Sequence, residues 1–242
     1  QSIPGALQKF VTIMQGCDNY CTYCVVPYVR GPERSRPMAD IVREVEVFIG
    51  QGGREVTLLG QNVNSYGRGL AGEVTFPALL RRLAELPKLA RLRFTTSHPR
   101  DLSEELIRGF AELPPLCEHI HLPVQSGSNQ ILARMHRGYR REDYLERVSR
   151  LREACPGMAL STDLIVGFPG ETESDFQDTL RLMQEATFDG AFFFKYSPRP
   201  QTVAAAFPDQ VPESVKTERL ARLKEAQEQL SLASNQRLLG EV

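Results

Sequence analysis

The chain has 242 residues, 41% hydrophobic and 24% charged, with a formal net charge of −1. These values exclude a disordered or low-complexity chain and any global attraction to nucleic acid, and the length suits one α/β domain over 1–242. Gln1 to Phe10 shows no charged-then-apolar leader and no run of about 18 apolar residues could cross a bilayer, so no membrane partner and a cytoplasmic location are expected.

In chain order, the apolar run 9–14 predicts a strand and 38–50 an amphipathic helix, followed by a strand at 55–59 and a helix at 76–86. A strand at 91–95 and a helix at 103–113, led by Asp101 or Ser103, come next. A strand at 119–124 precedes a helical stretch at 129–154 that is interrupted near Gly138. A strand at 160–166, a helix at 172–186 led by Thr172 and a strand at 191–196 follow. Pro212 opens a last helix to about Leu238, so residues 212–238 lead out of the repeat. Alternating strands and helices imply parallel strands with right-handed crossovers, and six repeats predict an open, partial (β/α)6 TIM-like barrel.

In such a fold, ligands gather where strands end. After the first strand stands Cys17-x3-Cys21-x2-Cys24, which lets three thiolates of one loop converge on one metal centre. A fully ligated iron–sulfur cluster takes four cysteines, so three leave one iron open. A structural zinc site remains an alternative, although the nearest histidine in sequence, His98, is far downstream. A third reading is cysteines packed as small apolar groups, for which Asp18, Asn19 and Thr22 are poor company. Cys117 and Cys155 lack metal spacing and read as core residues. An odd cysteine count with three in one loop fits a reducing compartment. Arginines bunch at Arg30/Arg34/Arg36, Arg81/Arg82/Arg91/Arg93 and Arg134/Arg137/Arg140/Arg141, either as clamps for phosphate or carboxylate or as solvated helix faces. Asp163 lies in an apolar strand, where an ionised carboxylate needs partners, and Ile165 shares its face.

Cys17-x3-Cys21-x-Tyr23-Cys24 at the end of the first strand resembles the radical S-adenosylmethionine superfamily. The resemblance implies a 4Fe–4S cluster whose open iron chelates S-adenosylmethionine, and cleavage of that cofactor by one electron to methionine and a 5′-deoxyadenosyl radical. It also implies cofactor contacts at later strand ends. Tyr23 lies beside the cluster, Thr96 or Ser97 faces the methionyl amine, and Gln125 and Arg137 contact the methionine portion and ribose. Asp163 meets the ribose hydroxyls and Ile165 the adenine. No catalytic acid or base can be named.

The strings Gly60-Gln61-Asn62-Val63-Asn64, Thr96-Ser97-His98-Pro99 and His121-Leu122-Pro123-Val124-Gln125-Ser126-Gly127 resemble the methylthiotransferases, in their tRNA-modifying branch. The resemblance implies that a methylthio group replaces hydrogen on carbon-2 of an isopentenyl-modified adenine beside the anticodon. Asn62, Asn64 and Tyr66 would line a base pocket, with the tRNA anticodon stem-loop and an electron donor as partners. Alternatives are the branch that modifies a ribosomal protein, and a non-catalytic, metal-stabilised RNA-binding module. In the family a preceding domain carries further cysteines for a second, auxiliary 4Fe–4S cluster, and an RNA-binding β-barrel follows. Both are expected outside these 242 residues, which by themselves are expected to split S-adenosylmethionine without completing methylthiolation.

Overall fold

The computed structural model describes residues 5–72, 74–237 and 239–240. Leu238 and the end residues 1–4 and 241–242, on which readings of both termini rested, lie outside them. In chain order the elements are β1 (Gln8–Thr12), β2 (Met14–Gln15), α1 (Val26–Arg30), β3 (Arg34–Ser35), α2 (Met38–Gly50), β4 (Glu55–Leu59), α3 (Phe76–Ala84), β5 (Arg91–Phe94), α4 (Glu104–Glu112), β6 (His119–His121), α5 (Asn129–Arg134), α6 (Arg141–Ala154), β7 (Ala159–Val166), α7 (Glu173–Ala186), β8 (Gly190–Lys195) and α8 (Glu213–Arg237). They form two compact units, each described by itself.

The first unit comprises Gln1–Asp18, Val29–His121 and Arg150–Met158. Its sheet runs β1-β4-β5, all parallel, with Val11 opposite Leu58 and Leu58 opposite Phe94. α2 forms because Ile41, Val45 and Phe48 recur at helical spacing, and all three are buried. Phe94 lies edge-on to Phe76 at 5.0 Å and tilted against Phe110 at 5.9 Å, which ties β5 to α3 and α4. Each such ring contributes about 1.5–3 kcal/mol by burial. Ser103 caps α4 by accepting from Leu106 N, which settles the choice between Asp101 and Ser103.

The second unit comprises Asn19–Tyr28, Leu122–Ser149 and Ala159–Val242. β7 and β8 are parallel, with Asp163 opposite Phe192 and Ile165 opposite Phe194. The segment 122–125 runs beside β7, where Leu122 N donates to Ser161 O, Gln125 N to Asp163 O, and Ile165 N to Gln125 O. α7 starts in a capping box between Thr172 and Asp175. α8 buries Lys216, Arg219, Leu223 and Gln227 along its length.

The α/β class with parallel strands is borne out, and the departures have local causes. The strand expected over 9–14 ends at Thr12, and β2 turns away to pair antiparallel with β3, Met14 opposite Ser35. The strand expected over 119–124 stops at His121, just ahead of Pro123, which has no N–H for a ladder. The helical stretch 129–154 divides into α5 and α6, with His136 and Gly138 both at positive φ.

Candidate active site

In the first unit the cysteine loop is entered through Gly16, whose φ is +78° and where an added Cβ would fall 2.0 Å from Pro32 O. Only glycine allows this approach. Cys17, buried, then donates its N–H to Gly31 O at 3.2 Å. Beyond β4, Asn62 is buried and donates Nδ2 to Asp101 Oδ2 at 2.7 Å, while its Oδ1 has no partner. Gln61 Oε1, both amide atoms of Asn64 and Ser97 Oγ are likewise buried without a hydrogen-bond partner. Thr96 takes a φ of +70°, rare for a β-branched residue, and its carbonyl accepts from Val63 N. Tyr66 is buried, donates to Arg36 O at 2.8 Å, and burial pushes its phenol up to about 12. Its ring is therefore packed rather than open for stacking. A cavity of about 330 Å³ lies beside Asn64, Tyr66, Arg68 and Phe76.

In the second unit Cys21 and Cys24 share one turn, closed by Cys24 N donating to Cys21 O at 2.9 Å. Thr22 anchors that turn: its N–H donates to Met135 O at 3.1 Å, its hydroxyl to Arg134 O at 2.8 Å, and its carbonyl accepts from Ala204 N at 2.9 Å. Burial raises the Cys24 thiol pKa and carries the Tyr23 phenol well above its usual range, against the pull of Arg137. Arg137 is buried and reaches both Tyr23 Oη, at 3.4 Å, and Cys21 Sγ, at 3.5 Å. Tyr23 and Ile165 line one cavity of about 200 Å³ with Phe194, Tyr196 and Arg199. Asp163 and Ile165 share the half-buried face of β7, as their spacing predicts. Gln125 is buried at a φ of +77°, clasped between the backbones of Asp163 and Ile165.

Cys21, Tyr23 and Arg137 thus meet in one place, and Tyr23 and Ile165 in an adjoining cavity. Sequence reasoning missed Thr22 and Tyr139, the second of which accepts from Arg137 Nε at 3.0 Å. Their roles depend on carbonyls and guanidinium nitrogens that no motif advertises. Many of the clustered arginines are ion-paired, part-buried groups, among them Arg36 with Glu44, Arg81 with Glu112, Arg93 with Glu55, Arg134 with Asp209 and Arg141 with Glu185. All five cysteines are free thiols. Among the described residues no three His, Cys, Asp or Glu side chains already stand as a metal-holding group. What fits an iron–sulfur cluster is the donor set: three unbridged thiols on one loop, with a buried guanidinium directed at one of them.

Residues 11–183 match the model of the Radical SAM superfamily, and the chain belongs to that superfamily. Membership carries the cofactors expected from the motif, a 4Fe–4S cluster and S-adenosylmethionine.

The chain is 60% identical over 225 residues to a tRNA-2-methylthio-N(6)-dimethylallyladenosine synthase of Syntrophobacter fumaroxidans, covering 93% of this chain and 49% of that protein. It is 57% identical over 234 residues to the enzyme of the same name from Moorella thermoacetica, covering 97% and 53%. The resemblance to tRNA-modifying methylthiotransferases is borne out, and the chain spans about half the length of these curated relatives. Among solved structures it is similar to the radical S-adenosylmethionine methyltransferase TsrM from Kitasatospora setae, with a TM-score of 0.65 and 21% identity, covering 81% of this chain and 38% of that one. Coproporphyrinogen III oxidase HemN from Escherichia coli gives a TM-score of 0.62 at 17% identity, covering 93% and 54%. These likenesses bear out the superfamily fold.

Proposed function

We propose that this chain is the radical-generating part of a tRNA methylthiotransferase that modifies carbon-2 of isopentenyladenosine beside the anticodon. The observation that carries the reading is the placement of Tyr23, next to Cys24, in the same cavity wall as Ile165, so that the cysteine loop and the face of Asp163 border one pocket. Cys17, Cys21 and Cys24 would hold the cluster, and Ile165 and Phe194 offer the apolar walls that an adenine ring requires. When bound, cluster and cofactor supply the radical chemistry that removes an unactivated hydrogen, which no side-chain base could do.

The chain's own contribution is positioning. Thr22 holds the turn of Cys21 and Cys24, and the strained backbone at Gln125 presents its side chain at the end of 122–125. In the first unit, Gln61, Asn62, Asn64 and Ser97 offer buried polar atoms for the tRNA base or the methionyl head, while packed Tyr66 serves as a wall. An electron donor and a cytoplasmic setting complete the proposal. Among the described residues no helix is long and apolar enough to cross a membrane.

Anaerobic reconstitution tests the reading. About four iron and four sulfide per chain, with 5′-deoxyadenosine formed on reduction, is the expected result, and about one zinc with no iron overturns it. Assay of the longer protein against isopentenylated tRNA and against ribosomal protein then identifies the substrate.

A further inference from the structure

After β8 the chain reads Ser197-Pro198-Arg199-Pro200-Gln201-Thr202, a string that the function proposed above leaves unused. A proline ring fixes φ, and the residue ahead of a proline is confined to extended backbone, so the chain on either side of Arg199 has little freedom. The Arg199 carbonyl accepts twice from Thr202, from N at 3.2 Å and from Oγ1 at 2.7 Å, and Thr202 is itself buried. Gln201 completes the turn at a φ of +70°. Two residues beyond Thr202, Ala204 N donates to Thr22 O at 2.9 Å, which ties the turn to the loop of Cys21 and Cys24. The backbone of Arg199 is fixed.

Its side chain is not. Arg199 is exposed and lines the cavity of about 200 Å³ with Tyr23, Ile165 and Phe194. Several other cations of the second unit are already engaged: Lys195, in the same wall, pairs with Glu213, Arg134 with Asp209 at 2.8 Å and Arg222 with Glu173 at 2.9 Å. Among the described residues no hydrogen bond or ion pair reaches the Arg199 guanidinium, and no carboxylate lines the cavity. A charged, planar fork of N–H donors without an anion suits phosphate, which it can hold through two parallel bonds. A backbone set in advance also lowers the ordering cost of binding.

We propose that Arg199 binds a backbone phosphate of the substrate RNA, at the nucleotide brought against this cavity for modification. The inference rests on the tRNA reading made above. A nucleotide whose carbon–hydrogen bond is to be broken must lie against the cofactor, and its phosphate then comes to the edge of the cavity that Ile165 and Phe194 wall. Such a contact sets the register of the strand without reading its sequence.

The test uses the 242-residue chain, reconstituted anaerobically, with Arg199→Gln and Arg199→Lys beside the parent, and an anticodon stem-loop RNA carrying isopentenyladenosine. Affinity for the RNA is measured over a series of salt concentrations, and affinity for S-adenosylmethionine by calorimetry. Arg199→Gln is expected to bind RNA about three- to tenfold more weakly, with a slope of log affinity against log salt shallower by about 0.7–0.9, the share of one phosphate. Arg199→Lys should keep the slope, because it keeps the charge, and cofactor affinity should stay within about threefold of the parent in both variants. Replacing the RNA phosphates one at a time by neutral methylphosphonates should weaken the parent at a position to which Arg199→Gln is indifferent. An unchanged slope in Arg199→Gln overturns the proposal. So does a larger loss of cofactor affinity, which would give the guanidinium to the carboxylate of S-adenosylmethionine. A parent chain with no salt-dependent affinity for the stem-loop sinks the tRNA reading itself and this proposal with it, and it is measured first.

Discussion

Around Arg137, in the second unit, each guanidinium nitrogen has a partner, whereas beyond β4 and β5, in the first unit, Gln61, Asn62, Asn64 and Ser97 keep buried polar atoms with none. A buried polar atom left unpaired costs about 1–3 kcal/mol, so the two regions store free energy differently. The guanidinium beside the sulfur already has its partners. On the function proposed above, the unpaired groups beyond β4 and β5 would be completed by a ligand, so the first set would prepare the chemistry and the second would recognise the substrate.

The largest test of that contrast removes the thiols. Cys17→Ala, Cys21→Ala or Cys24→Ala should lower bound iron to background and abolish 5′-deoxyadenosine formation, by iron analysis and chromatography of the quenched reaction. Full iron retention in Cys21→Ala would break the comparison, since Arg137 would then guard a sulfur that holds nothing.

Next in size is a pH effect. Burial pushes Glu171 up to about 7 from its ordinary 4.5, against the pull of Gly167 N–H and of Arg219, whose Nη1 lies 2.7 Å from Oε2. The folded form thus holds more protons than the unfolded form between these values. The contribution of Glu171 to stability is greatest below about pH 4.5, falls by about 3 kcal/mol as pH rises to about 7, and levels off above. Urea unfolding across that range should show the fall, and Glu171→Gln should flatten it.

Tyr139→Phe leaves Arg137 Nε and Val124 O without their partner, and the expected cost is about 1–2 kcal/mol of stability in denaturant titration. Smallest, and opposite in sign, is Ser97→Ala. Deleting a hydroxyl that has no partner should stabilise the ligand-free chain by about 1 kcal/mol while weakening binding to the completed site. A loss of stability in Ser97→Ala would erase the distinction between the two regions.

The fold was legible wherever a run of apolar residues was long enough to show a period. β4, β7 and α2 fall within a residue of expectation because Val56 to Leu59, Leu160 to Val166 and Ile41 to Phe48 carry clear patterns. β2 and β3 span two residues each, too short for any alternation, and α1 hides in a β-branched run, Val25-Val26, ahead of Pro27. The site was legible as cysteine spacing and as Asp163 and Ile165 on one face. The bond from Arg137 to Cys21 was not, because it joins residues 116 apart and depends on how a guanidinium is boxed in by carbonyls and phenols. For Tyr66, which lines a cavity of the first unit, spacing could not reveal that its hydroxyl is spent on Arg36 O.

The three bonds of Thr22 bear on the order in which this protein is made. They pin the stretch between Cys21 and Cys24 to the end of α5 and to the turn at 203–206 through oxygen and nitrogen alone. On the function proposed above, the loop that would receive the metal is shaped by ordinary peptide hydrogen bonds, so it is expected to keep its form before iron is loaded.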